Sequence, residues 1–228
     1  MPGHPPRTLL ILGSKPEPVL PPRDSIDDVA CANASGRSAQ SLGLPDPVFT
    51  VMTAVLTSGN ASDEHSLRAL RGLRTRRLYH LPRPKTERVR GLKALILAWK
   101  QRRMRPAHMR RRLRQLDYRY EELVTRKASD YHAAVLGLCG HDPAIAELMR
   151  TKQPSTGLIA LAVGLTDWDY DRYVLAGFDF QLTHAYGTNP LIAQRGSATS
   201  KPADTAVTLL RRLAELQGNV FPTAPAVH

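Results

Sequence analysis

Residues Thr8–Leu12 read TLLIL, and Gly13 closes the run. A strand with one face in water alternates apolar and polar side chains; this one does not, so both of its faces must be covered. That requirement points to a parallel strand inside a sheet layered by helices. Further runs follow the same pattern. Asp28–Ala32 (DVACA) ends at Asn33, and Val48–Thr53 (VFTVMT) is a third strand. RRLYHLPRP holds a short fourth strand stopped by Pro82, DRYVLAGFDF holds another, and NVFPT a last short one. Between them lie helical spacings. Leu92, Leu95, Ile96 and Trp99 recur on one helix face, and Pro106 breaks or restarts that helix. Leu113, Leu116, Tyr120 and Leu123 continue an apolar stripe on a very basic helix. STGLIALAVGL is a helix with Ser155 or Thr156 as N-cap. PADTAVTLLRRLAELQG is an amphipathic helix with Pro202 in its first turn and Gly218 near its C-cap. Strands alternating with helices predict an α/β fold, a mostly parallel sheet sandwiched by helices.

The 228 residues suit one domain, 1–228, with a basic helical insertion or lid over about 85–150 and a loose tail at 223–228. A net charge of +12 suggests an anionic partner: nucleic acid, an anionic membrane surface, or a phosphorylated or acidic substrate. A merely solubilising basic surface is the plainer reading. Cys31 and Cys139 form neither a metal motif nor a disulfide framework, which suits a reduced cytosolic compartment. No segment approaches about 18 consecutive uncharged apolar residues, the length of a membrane-spanning helix. The expected location is therefore cytoplasmic, soluble or peripheral on the inner face of the membrane.

Ligands of open parallel sheets bind outside the carboxyl ends of the strands. Here those ends carry Gly13-Ser14-Lys15, Asn33-Ala34-Ser35, Thr53 and Gly177-Phe178-Asp179. The start of the Ser155 helix joins them, with free N–H groups and a positive dipole end suited to phosphate. Ser155-Thr156-Gly157 and Gly177 then admit a close-approaching ligand, or else they form a cap and a turn and nothing more.

Taken together, these blocks resemble sialyltransferases. PSTGLIALAVGL…YVLAGFDF is similar to the region of those enzymes in which an (S/T)(S/T)G turn opens a helix and the next strand ends in Gly-Phe or Gly-Ile-Asp-Phe. LLILGSKPEP resembles their first strand and loop, VACANAS the second strand ending in Cys-Asn, and TSKPADTAVTLLRRL the His-Ser-Lys-x-x-Asp segment of bacterial glycosyltransferase family 42. The four blocks keep their order and span residues 8–60 and 150–222; the middle has no counterpart. The resemblance extends in motif type to family 29. It implies a GT-A-like single domain that takes a CMP-activated sugar acid, sialic acid or Kdo, with no cofactor and no metal. It places Gly13, Ser14 and Lys15 near the nucleotide, Asn33 with Ser35 at the ribose or phosphate, Ser155, Thr156 and Gly157 at the phosphate or sugar carboxylate, and Gly177 and Phe178 around cytidine. Tyr186 falls near a family tyrosine that hydrogen-bonds the departing phosphate.

The chain departs from the pattern in three places. The first-loop asparagine is Ser14 or Lys15, a second family tyrosine is Gln181, and the histidine that serves as general base is Thr199. Threonine cannot deprotonate a hydroxyl at neutral pH. Either His184 supplies the base, or Asp179 acts as nucleophile in a retaining mechanism. Arg68–Lys127 is densely basic. Three readings apply: an amphipathic surface for an anionic bilayer or lipid-linked glycan acceptor, a nucleic-acid contact, or a solvated face. Few aromatics (Trp99, Tyr118, Tyr120) interrupt the basic run, which disfavours base stacking and ranks nucleic acid below the membrane. The competing function classes are a basic membrane- or nucleic-acid-binding module without transferase activity, and a nucleotide pyrophosphokinase. The latter needs Mg²⁺ and clustered carboxylates, for which Asp24, Asp27 and Asp28 are the only candidates.

Overall fold

The computed structural model describes residues 6–15, 18–58, 67–83, 96, 99, 102–178 and 203–223. Seven strands form one sheet: β1 (Thr8–Leu12), β2 (Asp28–Ala32), β3 (Phe49–Thr53), β4 (Arg74–Leu81), β5 (Arg119–Thr125), β6 (Arg172–Ala176) and β7 (Val220–Pro222). Their order is β5-β4-β3-β2-β1-β6-β7, and every pairing is parallel. β1 is buried at all five positions, as its unbroken apolar run requires. The register sets Leu9, Leu10, Ile11 and Leu12 of β1 against Tyr173, Val174, Leu175 and Ala176 of β6. From β1 the chain first builds outward to β5, then returns to the other side for β6 and β7. The order therefore reverses between β1 and β6.

The helices are α1 (Gly36–Ser41), α2 (Pro106–Gln115), α3 (Ala128–Leu138), α4 (Pro143–Thr151), α5 (Thr156–Asp167) and α6 (Ala203–Gln217). Right-handed crossovers place helices on opposite faces when the build direction reverses, and the core divides accordingly. One face buries Leu9, Ile11, Phe49, Val51, Tyr79 and Leu175 beneath α3, α4, α5 and α6. The other face is covered in two patches. Met52 and Leu78 pack under Met109 and Leu113 of α2. Leu10, Leu12 and Val174 pack under Ala39 of α1 with Leu20, Ile26 and Leu44. Helix α5 is buried from Gly157 through Val163 and Gly164 without interruption, since it lies across the centre of the sheet and is apolar all round. Ser155 is its N-cap: Leu158 N–H donates to Ser155 Oγ at 3.3 Å. Such a cap contributes about 1 kcal/mol.

The sequence expectation differs from this fold in two elements. β4 runs eight residues rather than a few. Tyr120 and Leu123 lie not on a helix but on β5, the edge strand. Helix α2 stops at Leu116, and Asp117 takes a left-handed backbone (φ 52°) that turns the chain back along β4. The edge is guarded by charge, with Arg77 Nε donating to Glu122 at 2.6 Å and Arg76 3.6 Å from Glu121.

Candidate functional site

The crevice of a doubly wound sheet opens where strand order reverses, at the carboxyl ends of the flanking strands. Here those strands are β1 and β6. Gly13 N–H donates to the Ala176 carbonyl at 2.8 Å, and Lys15 N–H donates to the Gly177 carbonyl at 3.1 Å. The two chains cross so closely that a Cβ on Gly13 would stand 2.3 Å from the Gly177 carbonyl oxygen. Gly177 itself has φ +72°, a left-handed conformation that costs a side-chain-bearing residue about 1 kcal/mol or more. Ser14 and Lys15 are half-buried directly beside it.

Phe178 follows Gly177 and turns onto the first turn of α5. A Cβ on Gly157 would meet the Phe178 ring at 2.8 Å. The space beside Gly157 is therefore taken by an aromatic ring of this same chain. The absent side chain at Gly157 thus makes room for Phe178, whatever the backbone N–H groups of the turn receive. Ser155 and Thr156, at the rim of the same turn, are exposed and half-buried respectively. The unused N–H groups of this turn and the Lys15 ammonium supply positive potential at one end of the crevice.

One strand further out, Asn33 follows β2 with φ 55°. Its N–H donates to the Val51 carbonyl at 2.8 Å, and its Oδ1 accepts the Thr53 N–H at 3.0 Å. This arrangement leaves the Nδ2 hydrogens without a partner among the described residues. Ser35 does not share this freedom. It is 1% exposed, its Oγ accepts the Ala32 N–H at 2.9 Å and donates to the Leu12 carbonyl at 2.9 Å. Ser35 thereby ties the ends of β1 and β2 together. Cys31 lies on the same strand, and burial pushes its thiol up to about 12 despite the opposing Ser35 hydrogen bond. It stays a protonated core residue.

The structure thus brings Gly13, Ser14, Lys15, Asn33, Ser155, Thr156, Gly157, Gly177 and Phe178 to one edge. His184, Asp179, Tyr186, Gln181 and Thr199 lie outside the described residues. Among the described residues no group of three His, Cys, Asp or Glu side chains is placed to hold a metal. The carboxylates a Mg²⁺-dependent kinase would need sit at the amino edge and are engaged: Asp27 accepts the Thr8 N–H at 2.7 Å, and Asp28 accepts from Tyr170 and Arg7 at 2.7 and 3.1 Å. A cavity of about 310 Å³ also lies at that amino edge, lined by Leu44, Pro47 and Arg74 among others, away from the crevice.

Two histidines at the carboxyl edge escaped sequence reasoning, because a single histidine in an apolar strand or a basic helix carries no pattern. His80, next to last in β4, is 3% exposed, with Nε2 2.9 Å from the Met104 carbonyl. Burial holds its pKa below the ordinary histidine value, against the raising effect of that bond. His108 on α2 is likewise lowered, by burial and then by Arg111, while a bond to Thr57 opposes the shift. Both tie the turn at Arg102–Met104 and the start of α2 to the ends of β3 and β4. A further missed group joins Arg126, Asp167 and Tyr79: Asp167 accepts from both Arg126 nitrogens at 3.0 and 2.5 Å and from the Tyr79 hydroxyl at 2.8 Å.

These features define a doubly wound α/β protein with small and polar residues gathered at its switch point. Among solved structures, the chain is similar to the sialyltransferase CstII. One neighbour is a single-residue variant of that enzyme in complex with CMP, at 12% identity and TM-score 0.52, over 96% of this chain and 82% of the other. Another is CstII from Campylobacter jejuni in complex with cytidine-5'-monophosphate, at 11% identity and TM-score 0.51, over 98% and 82%. A third holds the substrate analogue CMP-3FNeuAc, at 11% identity and TM-score 0.50. At such identities the likeness is one of fold, a sialyltransferase-like fold. No family model and no curated protein sequence matches the chain.

Proposed function

We propose that this protein is a glycosyltransferase that takes a CMP-activated 2-keto-3-deoxy sugar acid, sialic acid or Kdo, and transfers the sugar to a bacterial surface glycan or glycolipid at the cytoplasmic face. The observation that supports this reading is the gathering of Lys15, the first turn of α5 and Gly177-Phe178 at the β1/β6 switch point, with Asn33 one strand further along the same edge, in a fold whose solved neighbours hold CMP in complex. On this reading Phe178 lies against the cytosine ring, and Nδ2 of Asn33 donates to ribose or phosphate. Lys15 and the hydroxyls of Ser155 and Thr156 face the phosphate.

The bond that breaks joins the anomeric carbon to the phosphate oxygen, and CMP leaves as its charge grows. Fixed donors aimed at that oxygen stabilise the transition state more than the ground state. Lys15 adds a full positive charge where a neutral amide is expected, and Tyr186 adds a hydroxyl donor. In the inverting form His184 takes the proton of the acceptor hydroxyl as its oxygen attacks the anomeric carbon. In the retaining form Asp179 forms a glycosyl-enzyme ester, which the acceptor hydroxyl then displaces. Neither route asks anything of Thr199. The account needs no cofactor beyond the donor.

The test is turnover: release of CMP from CMP-sialic acid and from CMP-Kdo, with His184→Ala and Asp179→Ala assayed separately. Loss of at least a hundredfold with one variant identifies base or nucleophile. Full activity of both variants removes both role assignments, and no turnover of either donor removes the transferase reading.

A further inference from the structure

The turn Arg102–Met104 and the start of α2 hang over the carboxyl ends of β3 and β4, held there by His80 and His108. Strands in a sheet are about 4.8 Å apart, so β4 lies roughly 14 Å along the same edge from β1 and the crevice. Two large apolar side chains beside this turn are exposed, Trp99 to 65% and Ile96 to 49%. Both are helical and three residues apart, hence on one face. The Arg102 guanidinium lies over the Trp99 ring, 4.6 Å from its centroid. Arg103 and Arg105 are exposed next to it. Residues 88–116 hold eleven Lys and Arg and no Asp or Glu. Among the described residues Arg102, Arg103 and Arg105 have no ion-pair partner.

We propose that this face docks on an anionic lipid bilayer, with Trp99 and Ile96 in the headgroup boundary and Arg102, Arg103 and Arg105 on the lipid phosphates. An exposed aromatic and an aliphatic side chain bordered by arginines without an ion-pair partner among the described residues match an interfacial surface, where the ring sits at headgroup depth and the cations meet negative charge. Nucleic acid matches less well, since Ile96 gains nothing from phosphates or base edges and one tryptophan offers a single stacking platform. No described helix is long and apolar enough to cross a membrane, so attachment here is peripheral. The face shares the carboxyl edge with the crevice, which would bring that edge to a lipid-borne acceptor. This last point rests on the transferase reading; the docking itself does not.

The experiment is flotation of the full chain with phosphatidylcholine vesicles, with and without phosphatidylglycerol. Binding is expected only to the anionic vesicles, weakening as salt rises. Replacing Arg102, Arg103 and Arg105 by Gln is expected to lower partitioning on the order of a hundredfold, about fivefold per charge. Ile96→Ser with Trp99→Ser is expected to reduce it by at least tenfold. All five side chains are on the surface, so far-ultraviolet circular dichroism should match the parent. The chain has two tryptophans, so in a Trp168→Phe background emission reports Trp99 alone, and brominated acyl chains should quench it. No flotation at low salt, wild-type flotation by the Gln variant, or duplex DNA outcompeting the vesicles would each overturn the proposal. CMP binding, measured without lipid, is independent of all these outcomes.

Discussion

Gly13→Ala probes the joint on which the crevice depends. Its Cβ would lie 2.3 Å from the Gly177 carbonyl oxygen, 2.7 Å from the carbonyl carbon and 3.1 Å from the Phe178 nitrogen. Ordinary contact begins near 3.4 Å, so the ends of β1 and β6 must separate by about an ångström. All three atoms are backbone, so no rotamer change relieves the clash. Overpacking of this kind costs about 1–3 kcal/mol. The same separation stretches the Gly13–Ala176 and Lys15–Gly177 hydrogen bonds, each contributing about 1 kcal/mol. The sum is about 3–5 kcal/mol, or a fall in Tm of roughly 10 °C for a chain this size. Thermal unfolding followed by circular dichroism measures it, and CMP titration of the folded variant measures the crevice. A Tm within about 2 °C of wild type, with unchanged CMP affinity, would refute the argument that β1 and β6 close here on a glycine.

Other substitutions separate structural from ligand-facing roles. Gly157→Ala meets only the movable ring of Phe178, so it should leave Tm nearly unchanged while weakening CMP binding; equal CMP affinity would detach Phe178 from the nucleotide. Asn33→Gly keeps the left-handed backbone but removes the amide, and should weaken CMP binding tenfold or more at a stability cost near 1 kcal/mol. Ser35→Ala strands the Ala32 N–H and the Leu12 carbonyl, and should lower stability by about 2–4 kcal/mol in urea unfolding. His80 binds its proton less readily folded than unfolded. Above the ordinary histidine value of 6.5 it contributes nothing; as pH falls below it the unfolded chain gains a proton that the folded chain refuses, so stability falls. His80→Gln should flatten that acid limb in unfolding midpoints measured from pH 7 to 5. Burial alone would raise the Asp167 carboxyl, but hydrogen bonds from Arg126, Tyr79 and Thr166 outweigh it and hold it below its ordinary 3.8. Its contribution is therefore present above that value and is lost as pH falls further, a limb absent in Asp167→Asn.

What the sequence revealed follows from how local each cause is. β1, β2 and α5 were legible because burial on all sides leaves an unbroken apolar run that no exposed element shows. β5 was not. Its Glu121, Glu122 and Leu123 favour a helix and extend the spacing of Leu113 and Leu116. The left-handed turn at Asp117 and the pairing with β4 override that preference, and both are tertiary facts. At the crevice, glycines announced close approach without saying to what. Gly157 meets Phe178 and Gly13 meets Gly177, contacts of the chain with itself that no local pattern names. Ser35 carried the residue type of a phosphate donor, yet its two bonds reach the ends of β1 and β2, a partnership visible only once those strands are adjacent. His80, by contrast, gave no sign in sequence, since its carbonyl partner lies 24 residues away.

The central claim is that the β1/β6 switch point receives a cytidine nucleotide. Isothermal titration of the purified protein with CMP, against UMP, AMP and GMP and with EDTA present, tests it most directly. The account predicts saturable binding selective for CMP that Lys15→Ala weakens by tenfold or more. Equal binding of all four nucleotides, or none of CMP, would contradict it.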